Sequence, residues 1–157
     1  MEDTHIACTT LPNDISIFGV FDGHGGSEMA HYVKKHFIPT LLKNKAFLSQ
    51  DYESALYQTF LAMDEMIQTQ EGQQEIKSLM GEEESESMAG CTANVCIVTK
   101  DKIVCANSGD SRSVLKRKEV LDIGYFRKAC LWARIINRNC RLRIREFMPR
   151  EDMVIIY

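Results

Sequence analysis

The chain has 157 residues, which is enough for one domain with a hydrophobic core. Its net charge of −3 argues against nucleic acid as the main partner, because binding to phosphate backbones favours a basic surface. No apolar run reaches the roughly 18 residues of a membrane-spanning helix, and the acidic N-terminus lacks a signal-peptide pattern, so we expect a cytoplasmic or nuclear protein.

The first third of the chain predicts a buried strand followed by a helix. Ile15–Phe21 is continuously apolar and lies between turn residues, which is typical of a strand. Ser27 is a good N-cap for a helix whose apolar face is formed by Ala30, Val33, Phe37 and Leu41. Pro39 should kink or end this helix nearby.

A second helix is predicted over Tyr52–Gln68. Its apolar positions recur at helical spacing, which favours core packing over a cofactor site, and they are Leu56, Phe60, Met63 and Ile67. The polar stretch 70–88 follows and contains a cluster of glutamates. We interpret it as a solvated loop rather than a metal site.

Two further strands, 91–99 and 102–109, flank Lys100-Asp101 and predict a tight hairpin, and 113–118 is a candidate third strand. The order of one strand, two helices and an antiparallel meander predicts an α+β fold in which helices are layered on antiparallel sheet.

The last 38 residues differ from the rest in composition. Residues 1–119 contain 11 Lys and Arg against 18 Asp and Glu, a net charge of −7, whereas residues 120–157 contain 8 against 4. The apolar residues of 126–145 follow no clear period, and we expect a weakly ordered helix there, followed by a final strand in 152–157.

Six cysteines occur, and none forms the C-x-x-C spacing of a zinc site. In a reducing compartment we expect free thiols that behave as small buried apolar residues. They are Cys8, Cys91, Cys96, Cys105, Cys130 and Cys140.

Acidic residues at the ends of predicted strands are candidates for a divalent-cation site. Asp22 follows a buried strand, Gly23 allows close approach of a backbone carbonyl, and His24 could donate a proton. Glu2 and Asp3 precede the first strand and could meet Asp22 across neighbouring strands. Asp110 is a second acid at a strand end. Taken singly, each also suits a turn, a surface position or a solvated terminus.

In combination, these segments resemble the PPM-type metal-dependent serine/threonine protein phosphatases, the protein phosphatase 2C type. The resemblance covers residues 1–119 and rests on "MED" at 1–3, "FGVFDGHGG" at 18–26, "GCTANVCIV" at 90–98 and "ANSGDSRSVL" at 106–115. It implies an α-β-β-α sandwich of two antiparallel sheets flanked by helices. It also implies two Mn²⁺ or Mg²⁺ ions that activate water to attack a phosphoserine or phosphothreonine.

The resemblance also implies a role for each matching residue. Asp22 would bridge both ions, Glu2 would bind one, and the Gly23 carbonyl would bind the other. Asp3 would lie in the outer shell, and His24 would be the general acid. Asp110 would help to bind a third, weaker ion.

Two features of the family pattern are missing from the sequence. The family has a phosphate-binding arginine just before "MED", and two late metal-binding aspartates in "D-G" and "D-N" motifs, neither of which occurs after residue 119. We therefore expect an incomplete sandwich, with 1–119 a partial phosphatase domain and 120–157 a divergent Arg-rich tail.

Three hypotheses remain open at this point. The first is a monomeric phosphatase that acts on phosphoproteins. The second is a catalytically inactive, truncated binding or regulatory module with a phosphatase-like surface. The third is an incomplete product that does not fold stably.

Overall fold

The structure, a computed structural model, describes residues 1–80 and 89–117 together with four short strands further along the chain. The strands of the first part are β1 (Thr4–Leu11), β2 (Ile15–Phe21), β3 (Gly23–His24), β4 (Gly90–Cys91), β5 (Ala93–Val98), β6 (Ile103–Ser108) and β7 (Val114–Arg117). The later strands are β8 (Gly124–Tyr125), β9 (Cys130–Leu131), β10 (Leu142–Phe147) and β11 (Met153–Ile156). The helices are α1 (Glu28–Lys43), α2 (Lys45–Leu48), α3 (Tyr52–Gln68) and α4 (Gln70–Met80).

The strands form antiparallel sheets, so the predicted α+β class is confirmed. The main sheet has six strands in the order β1-β2-β5-β6-β10-β9. A second sheet has the order β11-β7-β8, and β3 pairs with β4 in a short ribbon. The helices that the structure describes contribute residues to a single core cluster on one face of the main sheet.

Strand alternation explains how the main sheet forms two apolar faces. In β5 and β6, one set of side chains, which includes Val95, Ile97 and Val104, joins the core cluster with the helices. The alternate set faces the other side and forms a smaller cluster that contains Cys96, Ile103 and Cys105. A sheet buried on both faces matches the continuous apolar runs of these strands.

Aromatic residues hold α1 between the sheet and α3. The Phe37 ring lies 5.8 Å from the Phe21 ring of β2 and 5.5 Å from the Phe60 ring of α3, where the two rings meet edge to face. All three side chains are fully buried. Helix α3 has the predicted bounds and the predicted buried stripe.

Helix α1 continues through Pro39 and ends at Lys43, about one turn later. The kink predicted as the alternative at Pro39 stays a prediction. Pro39 is exposed, and so is Lys35, whose carbonyl would have accepted the missing N–H. Water can satisfy that carbonyl, and the fully buried Leu41 anchors the last turn. Ser27 occupies the N-cap position as predicted, but its side chain makes no capping hydrogen bond.

Residues 70–80 form helix α4, so the solvated loop predicted for 70–88 is wrong over this part; the rest lies outside the described residues. The Thr69 hydroxyl caps the helix by accepting the Gly72 N–H at 3.0 Å, and the Gln73 side chain donates to the Ile67 carbonyl at 2.6 Å. Only Gly72 and Ile76 of the described helix are buried. This apolar stripe is too narrow to indicate a helix from the sequence.

An ion pair docks α4 on α1. Glu75 accepts from Lys35 Nζ at 2.7 Å and lies 3.0 Å from His36 Nε2, and these two hydrogen bonds lower the pKa of Glu75. A lowered carboxyl pKa stabilises the fold at neutral pH, and the contribution is lost as pH falls from the unfolded value of about 4.5 through the folded pKa.

We expect Glu75→Gln to cost about 0.5 kcal/mol at pH 7, the scale of a partly exposed pair. The difference from wild type should shrink below about pH 4.5, and urea unfolding at several pH values measures it. A difference that stays constant into acid would contradict this account of the ion pair.

Thr59 in α3 has a fully buried hydroxyl, and among the residues that the structure describes none forms a hydrogen bond with it. An unsatisfied buried polar group costs about 1–3 kcal/mol, so we expect Thr59→Val to stabilise the fold by up to about 1 kcal/mol in urea unfolding. Thr4→Val is the matched control and should destabilise, because the buried Thr4 hydroxyl donates to the Ala30 carbonyl at 3.1 Å. Equal losses in both variants would contradict this account of Thr59.

The described part of the tail contains strands, so the predicted weakly ordered helix is wrong at 130–131 and 142–145. Strand β10 pairs with β6 from Leu142↔Ser108 to Phe147↔Ile103. The open edge of β6 favours a strand here, and the first four residues of β10, "LRIR", alternate between apolar and charged with period two. The predicted final strand is confirmed at Met153–Ile156, which pairs with β7.

The structure joins Cys96 and Cys105 in a disulfide, so the prediction that all cysteines are free is wrong for this pair. The two residues face each other across β5 and β6 with a Cα–Cα distance of 4.3 Å, typical of a non-hydrogen-bonded position. This close approach depends on strand register. Cys91 is buried as predicted, whereas Cys8 is a free thiol that is partly exposed.

Candidate metal centre

Asp22 and Asp3 face each other at the end of the β1–β2 pair. The last paired residues are Thr4 and Phe21, and one further step along both strands leads to Asp3 and Asp22. The Thr4 hydroxyl anchors this end of β1 to α1 through its bond to Ala30. The predicted meeting of Asp3 and Asp22 across neighbouring strands is what the register produces.

The pKa of Asp22 is raised. Partial loss of water around the carboxyl group contributes most, followed by the negative charge of Asp3 and a side-chain hydrogen bond with it, and then the charge of Asp110. The charge of His24 has the opposite effect and lowers the pKa of Asp22. Asp22 therefore lies beside two other negative charges, and a bound cation would reduce the repulsion among them.

Glu2 and Gly23 are also brought to this strand end. A Cβ added at Gly23 would lie 2.7 Å from the Glu2 carbonyl oxygen and 2.9 Å from the Gly26 carbonyl oxygen. Any side chain at Gly23 would therefore clash with backbone. The absence of a Cβ lets the Gly23 backbone lie close to Glu2.

His24 ends the short strand β3, where it pairs with Gly90 of β4. Its side chain is exposed, and its charge acts on the nearby Asp22. Gly25 and Gly26 follow with φ values of 72° and 144°, which non-glycine residues rarely adopt. These glycines turn the chain from β3 into α1 and leave His24 beside the acidic pair.

Asp110 lies on the loop between β6 and β7, and its charge reaches Asp22. The loop begins at Gly109, which has a φ of 104°. It is held from the sheet side by Asn107, whose side chain donates to the Gly109 carbonyl at 3.1 Å. The structure thus brings together the six predicted site residues from three segments of the chain: Glu2 and Asp3 before β1, the β2–β3 arm, and the β6–β7 loop.

Sequence reasoning missed the residues that support this arrangement. Thr92 contacts the β2–β3 arm at Asp22 and the β6–β7 loop at Ser111. Asn94 belongs to a buried hydrogen-bond network under the β6–β7 loop. Glu28 is buried, and a Cβ at Gly26 would lie 2.6 Å from its Oε1 atom. A buried carboxylate beside a glycine turn has no signature in the sequence, because its burial depends on how α1 packs.

The donor chemistry of the site fits Mn²⁺ or Mg²⁺, which prefer carboxylate and carbonyl oxygens. The position of the Asp3 carboxylate beside Asp22, where its charge and hydrogen bond raise the pKa of Asp22, is the observation that supports this fit. However, within the described part of the chain, no three His, Cys, Asp or Glu side chains lie close enough together to hold an ion by themselves.

The same part contains no helix long and apolar enough to cross a membrane.

Comparisons of the sequence with a family model and with curated proteins identify the same family. The family model described as protein phosphatase 2C matches residues 1–121. The chain is 54% identical over 117 residues to Protein phosphatase 2C 1 of Paramecium tetraurelia, a match that covers 74% of this chain and 39% of that protein. The chain therefore spans about two fifths of the length of the curated relatives that it matches.

Solved structures share the fold. Serine-threonine phosphatase 2C from Toxoplasma gondii aligns with a TM-score of 0.58 and 21% identity, covering 73% of this chain and 40% of that one. A C. elegans sex determining protein aligns with a TM-score of 0.67 and 17% identity, covering 97% of this chain and 46% of that one. At these identities the likeness concerns the fold alone.

Proposed function

The chain belongs to the protein phosphatase 2C family, and on that premise we propose that it is a metal-dependent serine/threonine protein phosphatase acting on phosphoproteins. The observation that carries the proposal is that Asp22 lies close enough to Asp3 and Asp110 for both charges to raise its pKa, beside His24. The division at residue 119, the monomeric state and the cytoplasmic or nuclear location stay predictions.

The proposed ligands come from three segments of the chain: the residues before β1, the β2–β3 arm and the β6–β7 loop. Asp22 and Glu2 would hold Mn²⁺ or Mg²⁺ through carboxylate oxygens, and Gly23 would do so through its carbonyl. Asp3 would orient this set, and Asp110 would contribute from the β6–β7 loop. When bound, such ions supply a nucleophile from water and neutralise charge on the phosphoryl group.

The chain's own contribution to bond breaking is proton delivery. The His24 imidazole is exposed beside the acidic pair, where a phosphorylated side chain from another protein can reach it. We assign it the transfer of a proton to the oxygen of the departing serine or threonine. An alkoxide is a poor leaving group, so this proton lowers the barrier substantially.

The second candidate is a non-catalytic binding module that keeps a phosphatase-like surface. The observation that favours it is that, among the residues described, no three potential ligands are gathered closely enough to hold an ion. Such a module would bind phosphoprotein partners without releasing phosphate.

The experiment that tests the proposed role of His24 compares two substrates in the presence of Mn²⁺. His24→Ala should slow phosphate release from a phosphothreonine peptide by about 10²–10⁴-fold. It should slow release from p-nitrophenyl phosphate far less, because nitrophenolate leaves without a proton. His5→Ala, at an exposed position of β1, is the control and should behave as wild type.

Equal losses on both substrates would show that His24 does not act as the general acid. Retention of phosphopeptide by wild-type protein without any phosphate release would favour the binding module.

A further inference from the structure

We propose that Thr92 is a positioning residue that holds the Asp110 loop, residues 109–113, at a set distance from Asp22. The inference rests on the proposed function, because it concerns the spacing between two parts of one cation site. Thr92 belongs neither to the acidic residues of the site nor to the glycine turn that follows β3.

The first contact of Thr92 is with the Asp22 arm. Its backbone N–H donates to the Asp22 carbonyl oxygen at 2.8 Å. This bond sits between the β2 end and the β4–β5 junction, next to the Gly23↔Cys91 pair. Because it uses the backbone, it is kept by any substitution at Thr92 other than proline.

The second contact of Thr92 is with the Asp110 loop. Its hydroxyl lies 2.6 Å from the Ser111 hydroxyl, a hydrogen bond in which either oxygen can donate. Thr92 also packs under Gly109, since a Cβ added at Gly109 would lie 2.7 Å from Thr92 Cβ and 2.7 Å from Cγ2. Thr92 is only 8% exposed, so this bond is shielded from competing water.

The loop is tied to the sheet on its other side by a buried polar network. Ser113 donates to the Asn94 side-chain carbonyl, and Asn94 donates to Asn107 at 2.6 Å. Asn107 in turn donates to the Gly109 carbonyl at 3.1 Å. The network anchors both ends of the loop to β5 and β6, while Thr92 links the middle of the loop to Asp22.

Thr92 therefore connects the strand end that carries Asp22 to the loop that carries Asp110. The charge of Asp110 already acts on Asp22, so the two carboxylates repel each other across this gap. Without the Thr92–Ser111 bond, repulsion would favour a loop displaced outward. A displaced Asp110 would contribute less to cation binding.

The test uses three variants of the whole chain. Thr92→Val keeps the shape of the side chain and the backbone bond to Asp22 but removes the hydroxyl. Thr92→Ser keeps the hydroxyl. Thr99→Val is the matched control, because the Thr99 hydroxyl donates to the Lys102 carbonyl at 3.0 Å at the opposite end of the same strand pair.

The first readout is backbone order in metal-free protein, measured by ¹⁵N relaxation at Asp110 and Ser111. In Thr92→Val the order parameters should fall from about 0.85, typical of rigid backbone, towards about 0.6. Thr92→Ser and Thr99→Val should match wild type. Unchanged order in Thr92→Val would overturn the inference.

The second readout is Mn²⁺ affinity by calorimetry. Loss of an outer-shell partner typically costs about 10–100-fold, so we expect at least about 10-fold weaker binding in Thr92→Val and wild-type affinity in Thr92→Ser. Equal affinity in Thr92→Val and wild type would overturn the inference. A wild-type chain that binds no Mn²⁺ would instead contradict the proposed function, and the relaxation data would still decide the role of Thr92.

Discussion

Millimolar Mn²⁺ should stabilise the wild-type chain against urea by about 2.7 kcal/mol once its concentration is about 100 times the dissociation constant. Asp22→Asn should abolish this stabilisation, because it removes a carboxylate that would hold the ions. The measurement is urea unfolding with and without Mn²⁺. Asp101→Asn, in the exposed β5–β6 turn, is the control and should keep the full response.

The same variant should have the opposite effect in metal-free protein. Because the folded pKa of Asp22 is raised, its ionisation opposes folding, and stability falls as pH rises from the unfolded value of about 3.8 through the folded pKa. At neutral pH we expect Asp22→Asn to be more stable than wild type by about 0.5–1 kcal/mol, allowing for solvent screening.

In the Mn²⁺ experiment, an equal gain in stability in wild type and in Asp22→Asn would rule out Asp22 as a ligand.

Phe37→Ala should destabilise the fold by about 3–5 kcal/mol, the usual cost of removing a buried phenylalanine. Phe37 is 1% exposed and its ring joins α1 to both β2 and α3, so its removal leaves a cavity at the centre of the core. Equilibrium unfolding in urea measures the loss.

The control for Phe37 is Leu48→Ala at the end of α2. Leu48 is 71% exposed, so its truncation should change stability by less than about 0.5 kcal/mol. A small effect at Phe37 would mean that the packing of α1 against the sheet is not as described.

Helices and strands whose apolar residues form a clear pattern in the sequence could be predicted from it. The strand Ile15–Phe21 and the helix Tyr52–Gln68 have the predicted bounds, because their burial follows directly from the spacing of their apolar residues. Helix α4 could not be predicted in this way, since most of its residues face solvent and its position depends on Glu75 and Ile76.

Pairing between distant segments was beyond local pattern reading. The strand β10 forms because β6 offers an open edge 34 residues earlier in the chain, as the pair Leu142↔Ser108 shows. The disulfide between Cys96 and Cys105 likewise depends on register. Neither local propensity nor cysteine spacing contains that information.

The candidate site was predictable where motifs identify it. Asp22, Gly23, His24 and Asp110 stand in recognisable segments, and the strand register brings Asp3 opposite Asp22. Thr92 stands in a recognised segment as well, but its position between the β2–β3 arm and the β6–β7 loop required the structure.

Phosphate release from a phosphothreonine peptide, with and without millimolar Mn²⁺, tests the proposed phosphatase activity most directly. We predict release by the folded wild-type chain that requires Mn²⁺ and is lost in Asp22→Asn. No release from wild-type protein shown to be folded by its cooperative urea transition would contradict the account and favour a binding module.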